Sequence, residues 1–309
     1  MKLDLSVLDR TESRILSLRS LYREYGYKLY RMGKFEEYDL YSRNKSFLVS
    51  GEVITFTDTS GRLMALKPDV TLSIIKNTRD SGQTLQKLCY NESVYRVSRK
   101  TRSFREIMQT GIECMGKLDA GSIGSVLMLA AKTLELLSDK YVLEVSMPNI
   151  LALVISGISA DGDARERLFK CAGEKNIPEI RRSCAEIGAD GQALTELIAI
   201  CDPPDDAIRK LRSIKTISDI GKEIELLSEM LKVFMDTAYD AHIQVDFSSV
   251  CDMNYYNGVI FQGYIGGIPE SVLSGGRYDK LMCRMGRSDE AIGFAVYLDR
   301  IERLEEDAL

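Results

Sequence analysis

Gln109, Gly111 and Glu113 alternate along Phe104-Arg-Glu-Ile-Met-Gln-Thr-Gly-Ile-Glu-Cys-Met115. A strand period of two puts all three on one face, and the glycine opens space above the sheet. Gln109 offers an amide donor and acceptor, and Glu113 offers an anion. Together they can hold a small ligand bearing an N–H or ammonium group. The alternation alone favours a plainer reading, an amphipathic strand with an exposed polar face. Just upstream, Arg96, Arg99, Lys100, Arg102 and Arg105 place five cations within ten positions. Such a cluster binds phosphate or carboxylate, or is a solvated loop. Arg96 is the stronger candidate, because it sits at a strand end between Val94, Tyr95 and Val97. Asp69, two positions before Thr71, reads as a helix cap. Gly275-Gly276-Arg277-Tyr278-Asp279 reads as a turn entering a helix. Its glycines allow close backbone approach to a ligand, or serve only a tight turn.

Other chemistries are excluded by composition. His242 is the only histidine, so multi-histidine metal sites are ruled out. It lies in the alternating run Ala241-His-Ile-Gln-Val-Asp-Phe247 and reads as a half-buried structural residue. No two of the seven cysteines are closer than 13 positions. There is no CxxC pair or zinc-ribbon spacing, so they read as reduced thiols in a cytosolic protein. No metal or cofactor is expected. A net charge of −5 argues against a protein that coats nucleic acid. The uninterrupted apolar run Ile150 to Ile155 falls far short of the ~18 residues of a membrane helix. The acidic N-terminus lacks the apolar core of a signal peptide, and a cytoplasmic location is expected.

The elements that must position these residues follow from periodicity. Ile15, Leu18, Tyr22 and Tyr25 have helical spacing, with Gly26 where a C-terminal cap belongs. Phe47 to Phe56 and Leu63 to Leu66 read as strands, and Asp69 can start a helix through Val70, Ile74 and Ile75. Strands are expected at Leu88 to Val97 and Phe104 to Met115 around a polar loop, then a helix from Ile123 to Leu137 and a strand at Tyr141 to Val145. Between Ser159 and Asp240 there are 12 Lys+Arg and 17 Asp+Glu, so this stretch carries the whole net charge. It reads as an all-helical module of three to five helices. Strands resume at Ile243 to Phe247, Tyr255 to Tyr264 and Ala291 to Tyr297, followed by a short terminal helix. The expected organisation is α+β: a sheet domain from residues 1–156 and 241–309, with a helical insertion at 157–240.

Taken in order, five segments resemble the catalytic core of class II aminoacyl-tRNA synthetases of the histidyl type. They are Leu66-Lys-Pro-Asp-Val-Thr71, then Val94-Tyr-Arg96 with Arg105-Glu-Ile-Met-Gln-Thr-Gly-Ile-Glu113. Tyr255-Tyr-Asn-Gly-Val-Ile-Phe261, Ser274-Gly-Gly-Arg-Tyr-Asp-Lys-Leu281 and Gly293-Phe-Ala-Val-Tyr-Leu-Asp-Arg300 complete the set. The resemblance implies an antiparallel sheet flanked by helices, a homodimeric core and a histidine pocket. In that pocket Asp69 meets the amino group, with Thr71 beside it, and Arg96 meets the carboxylate and phosphate side. Gln109 and Glu113 form the polar strand face, and Tyr255, Tyr256 and Tyr278 surround the imidazole.

The departures bear on function. The synthetases carry Arg-Gly-Leu-Asp-Tyr-Tyr where this chain has Cys251-Asp-Met-Asn-Tyr-Tyr256. A neutral thiol cannot replace the arginine that stabilises charge on the transferred phosphate. Ser98 stands where the synthetases have an adenine-reading glutamate, and only nine residues follow Arg300, where an anticodon-binding domain would begin. A retained amino-acid pocket with lost chemistry resembles the regulatory subunits of ATP phosphoribosyltransferase, the first enzyme of histidine biosynthesis. That resemblance implies no catalytic residues, a short catalytic subunit as partner, histidine as effector, and neither tRNA nor membrane as partner. Two alternatives are a histidine-activating enzyme without a tRNA domain, which Cys251 and Ser98 argue against, and a free-standing histidine sensor acting on nucleic acid or a kinase, which the acidic balance argues against.

Overall fold

The computed structural model describes residues 7–48, 52–82, 84–98, 101–216, 219–249 and 255–307. Nine strands form one sheet in the order Lys28–Leu29, Gln86–Val97, Phe104–Gly116, Glu290–Tyr297, Leu273–Arg277, Ile260–Ile265, Tyr141–Ser146, Ile243–Asp246 and Cys201–Asp202. Neighbours run antiparallel except Lys28–Leu29 beside Gln86–Val97 and Tyr141–Ser146 beside Ile243–Asp246. A small second sheet joins Phe35–Glu37, Leu63–Leu66 and Thr55–Thr57.

Alternation in the long central strands sends two residue sets to opposite faces. Cys89, Ile112 and Cys114 join a large apolar core with Phe261, Phe294 and the helices Arg10–Glu24, Ala120–Leu137 and Pro148–Ile158. On the other face Leu88, Tyr90, Met115 and Tyr278 belong to a smaller cluster with the helix Val70–Asn77 and the small sheet. This α+β arrangement, a mainly antiparallel sheet flanked by helices with further helices from the middle of the chain, is the expected class II synthetase-like architecture.

Local sequence sets the helix ends. Asp9 accepts the Glu12 N–H at 2.7 Å while the Glu12 carboxylate accepts the Asp9 N–H at 3.0 Å, a reciprocal cap. Gly26 follows with φ of +83°. Ala120–Leu137 is long and apolar enough to cross a membrane by composition alone, which a search for uninterrupted apolar runs misses. It packs instead on the sheet, with Leu127, Leu129, Ala130 and Leu134 fully buried.

Among the described residues the middle stretch holds five α-helices, Gly162–Gly173, Ile177–Glu186, Gln192–Ile198, Pro204–Ser213 and Gly221–Leu231. It is not all-helical. Cys201–Asp202 pairs antiparallel with Ile243–Asp246 and forms an edge of the main sheet. Two residues carry no readable alternation, so only the pairing reveals the strand. Leu168, Leu194, Leu227 and Phe234 share the large core with Leu143 and Ile150.

Other expectations are corrected. Phe47 closes a 3₁₀ turn, Lys45–Phe47, and the strand expected from it is confined to Thr55–Thr57, with 49–51 outside the described residues. Phe47 instead packs edge-on against Tyr255, with ring centroids 5.9 Å apart. The strand expected from Tyr255 begins at Ile260. Tyr255 and Tyr256 both line one cavity, and successive residues of a strand cannot face the same side. Gly275 and Gly276 lie inside a strand, not in a turn. His242 is half-buried, as expected; it stacks on Tyr141 at 4.3 Å, and its Nδ1 lies 3.1 Å from the Tyr141 carbonyl. Cys89, Cys114, Cys171, Cys184, Cys201 and Cys283 are free thiols.

The segment leading to Asp69 is pinned to the sheet. The Lys67 N–H donates to Lys34, and its carbonyl accepts from Tyr95. The Lys67 side chain is fully buried, with Nζ 2.9 Å from Glu92 Oε2. Removing one partner of a buried pair typically costs 3–5 kcal/mol. Glu92 keeps some solvent access, so Lys67→Ala is expected to cost about 3 kcal/mol. Urea denaturation checks this, and an unchanged midpoint would contradict it.

Candidate functional site

A cavity of about 180 Å³ opens on the face opposite the large core. Asp69, Thr71, Arg96, Gln109, Glu113, Tyr255, Tyr256 and Tyr278 all line it. Strand register explains the convergence. Glu113 pairs with Gly293, Gly111 with Ala295, and Gln109 with Tyr297. On the next strand Gly276 and Ser274 lie beside Gly293 and Ala295. The floor of the cavity is thus built from small residues. A Cβ at Gly293 would lie 1.9 Å from the Glu113 carboxylate, so glycine there makes room for Glu113. Gly111 does not leave empty space, as its sequence position suggested. A Cβ there would lie 2.1 Å from the Phe294 carbonyl oxygen and 2.6 Å from the Tyr90 hydroxyl, so the neighbouring strand and the Tyr90 side chain occupy that position.

Glu113 is 2% exposed. The Thr71 hydroxyl donates to its Oε1 at 2.7 Å, and the Tyr278 hydroxyl donates to Oε2 at 2.5 Å. Burial pushes its pKa up to about 8, outweighing the lowering effect of the Tyr278 and Thr71 hydrogen bonds. Asp69 is both cap and cavity wall. It accepts the Leu72 N–H at 2.8 Å at the start of Val70–Asn77. Burial raises its pKa too, against the Leu72 hydrogen bond and the nearby Arg96 charge. Arg96 is steered by its Nε, which donates to the Pro68 carbonyl at 3.1 Å. Tyr255 contacts Tyr256 at 4.6 Å and Tyr278 at 6.1 Å between ring centroids, giving an aromatic wall.

The rest of the cationic cluster disperses. Arg102 pairs with Glu52 at 2.5 Å. Arg105 is exposed opposite Arg96 in the register and does not line the cavity. Arg99 and Lys100 lie outside the described residues. Ser98 closes the hairpin loop, its N–H donating to Ser103 and its Oγ accepting from Thr101. Cys251 also lies outside the described residues. Sequence reading missed Phe47, Tyr90, Ser274 and Tyr297 as wall residues. The alternation Gly293, Ala295, Tyr297 on one strand was the available signal for the last of these.

Among the described residues, no His/Cys/Asp/Glu group is arranged to hold a metal ion, and no histidine lines the cavity. Two buried carboxyls, one guanidinium and a tyrosine wall suit a small zwitterion carrying a ring N–H.

The raised pKa of Glu113 has a signed consequence. Its unfolded value is near 4.5 and its folded value about 8. Between these values the unfolded chain gives up this proton while the folded one keeps it, so stability falls as pH rises. Glu113→Gln removes that term. The melting temperature of the mutant relative to wild type should therefore improve from pH 5 to pH 8. A pH-independent difference would contradict the assignment.

Comparison with known proteins places the chain. The family model described as histidyl-tRNA synthetase matches residues 6–301. An ATP phosphoribosyltransferase regulatory subunit from Caldanaerobacter subterraneus subsp. tengcongensis is 27% identical over 290 residues, 92% of this chain and 75% of that protein. A Bacillus halodurans structure described as an ATP phosphoribosyltransferase regulatory subunit/histidyl-tRNA synthetase superimposes with a TM-score of 0.79 at 22% identity, covering 98% of this chain and 82% of that one. A chain of an ATP phosphoribosyltransferase complex from Thermotoga maritima gives 0.72 at 16% identity, over 92% and 96%. With the family match running almost end to end over a sheet and cavity of this build, the chain belongs to the histidyl-tRNA synthetase family.

Proposed function

We propose that this chain is the non-catalytic regulatory subunit of ATP phosphoribosyltransferase, acting in the first step of histidine biosynthesis in the cytoplasm. It activates a short catalytic subunit and carries histidine feedback control. The observation that carries this reading is a cavity lined by all eight pocket residues in a chain with Cys251 where the synthetases have arginine. Similarity to a regulatory subunit over nine-tenths of the chain supports it. Histidine sits with its imidazole N–H toward Glu113, its ammonium toward Asp69 and its carboxylate toward Arg96. Tyr255, Tyr256 and Tyr278 flank the ring, and Thr71 and Gln109 complete the polar contacts. The core is a homodimer. Regulation is a coupling free energy between this cavity and the partner's active site, typically 1–3 kcal/mol.

Mixing the chain with a short catalytic subunit should give a larger hetero-oligomer on gel filtration, with phosphoribosyl transfer that histidine inhibits. Unchanged elution of both proteins at micromolar concentration would sink the reading. The chain alone should catalyse no histidine-dependent ATP–pyrophosphate exchange, and Cys251→Arg alone should not restore it, because Ser98 still lacks the adenine contact.

Glu113→Gln keeps the shape but cannot ionise, so at pH 9, above the folded pKa of about 8, it removes a charge. Losing a charge-assisted hydrogen bond costs roughly 1.5–3 kcal/mol, or about 10- to 150-fold in histidine affinity. Calorimetry measures it, and equal binding by mutant and wild type would remove Glu113 from the site.

A further inference from the structure

The cavity floor is graded in side-chain size. Along Glu290–Tyr297 the cavity-facing positions are Gly293, Ala295 and Tyr297, and Gly276 and Ser274 flank the first two. The Glu113 carboxylate and the Tyr256 ring occupy the space over Gly293 and Gly276, and the next row toward Tyr297 carries only the short side chains of Ala295 and Ser274. Tyr297, opposite Gln109, is the first large side chain on that strand face.

Tyr297 is held on two sides. Its hydroxyl lies 2.8 Å from Ser274 Oγ, and the Arg300 guanidinium sits over its ring, 4.3 Å from the centroid. Arg300 is itself tied to the Ser271 carbonyl, and its Nε lies 3.5 Å from Glu270. A ring restrained in this way loses little further freedom in forming a wall. Arg96 lies toward the same end. Glu92 pairs with Gln109 and Arg96 with Arg105, so Arg96 is displaced from Glu113 in the same direction as Tyr297.

We propose that Tyr297 is a specificity-determining wall that closes the carboxylate end of the cavity. The site takes an amino acid with a free carboxylate and rejects one carrying a bulky group joined through it. This rests on the histidine reading above and goes beyond it, since it names the residue that would keep a derivative extended through its carboxyl group out of a pocket that holds the amino acid.

The test is calorimetry on the full chain with two probes, histidine and the sulfamoyl analogue of the histidine–AMP mixed anhydride. Wild type should bind the analogue at least about 100-fold more weakly than histidine. Tyr297→Ala should gain at least about 10-fold for the analogue and keep histidine within about 5-fold, while Tyr297→Phe, which keeps the ring, should still reject it. Should Tyr297→Ala lose its cooperative melting transition, Tyr297→Val gives the same readout. Comparable wild-type affinity for both probes overturns the proposal. So does a folded Tyr297→Ala or Tyr297→Val that binds histidine but gains nothing for the analogue. If wild type binds no histidine, the histidine reading falls. The wall is then judged separately: a gain for the analogue in the small-residue variant upholds it, and no gain overturns it.

Discussion

A carboxyl group buried away from water is the constraint around which this face of the protein is arranged. Glu113 sits on a central strand with almost no solvent contact, and an unpartnered carboxylate there would carry a large desolvation cost. Two hydroxyls answer it, Thr71 from the first turn of one helix and Tyr278 from the residue just before another. Three segments far apart in sequence are thereby drawn to one point. Gly293 has no side chain because the Glu113 carboxylate occupies that position.

Each central strand serves two tasks on its two faces. Ile112 and Phe294 pack into the core with the helices, while Glu113 and Gly293 face the cavity from adjacent positions. Such a site is built on the most cross-braced part of the fold, where side-chain positions are held better than on loops. Rigidity extends to the flank. The buried Lys67–Glu92 pair and the Arg96 bond to Pro68 hold the Asp69 segment against the same sheet. A ligand entering this cavity meets groups already positioned, so little ordering is charged against its binding.

Much of this was legible in the residues alone. The helix caps at Gly26 and Asp69, the long paired strands, and the helical middle stretch all follow from local periodicity and capping chemistry. Gln109 and Glu113 could be placed on one face by counting. Their plainer reading as an exposed polar face fails because the neighbouring strands and the helix Val70–Asn77 cover that face, which no short window of sequence reports.

Which side chains share a face, where helices begin and end, and the family resemblance carried by ordered motifs can all be read along the chain. Those properties depend on neighbours within a few residues, where backbone geometry imposes a period of two or 3.6. Only the tertiary structure decided which faces meet. It set Glu113 between Thr71 and Tyr278, turned Tyr255 and Tyr256 out of strand geometry toward the cavity, and recruited Cys201–Asp202 to a sheet edge. It also put Tyr297 at the end of a lane of small residues. These outcomes rest on strand register and packing between segments distant in sequence, and the free energy of that packing has no signature in any single segment.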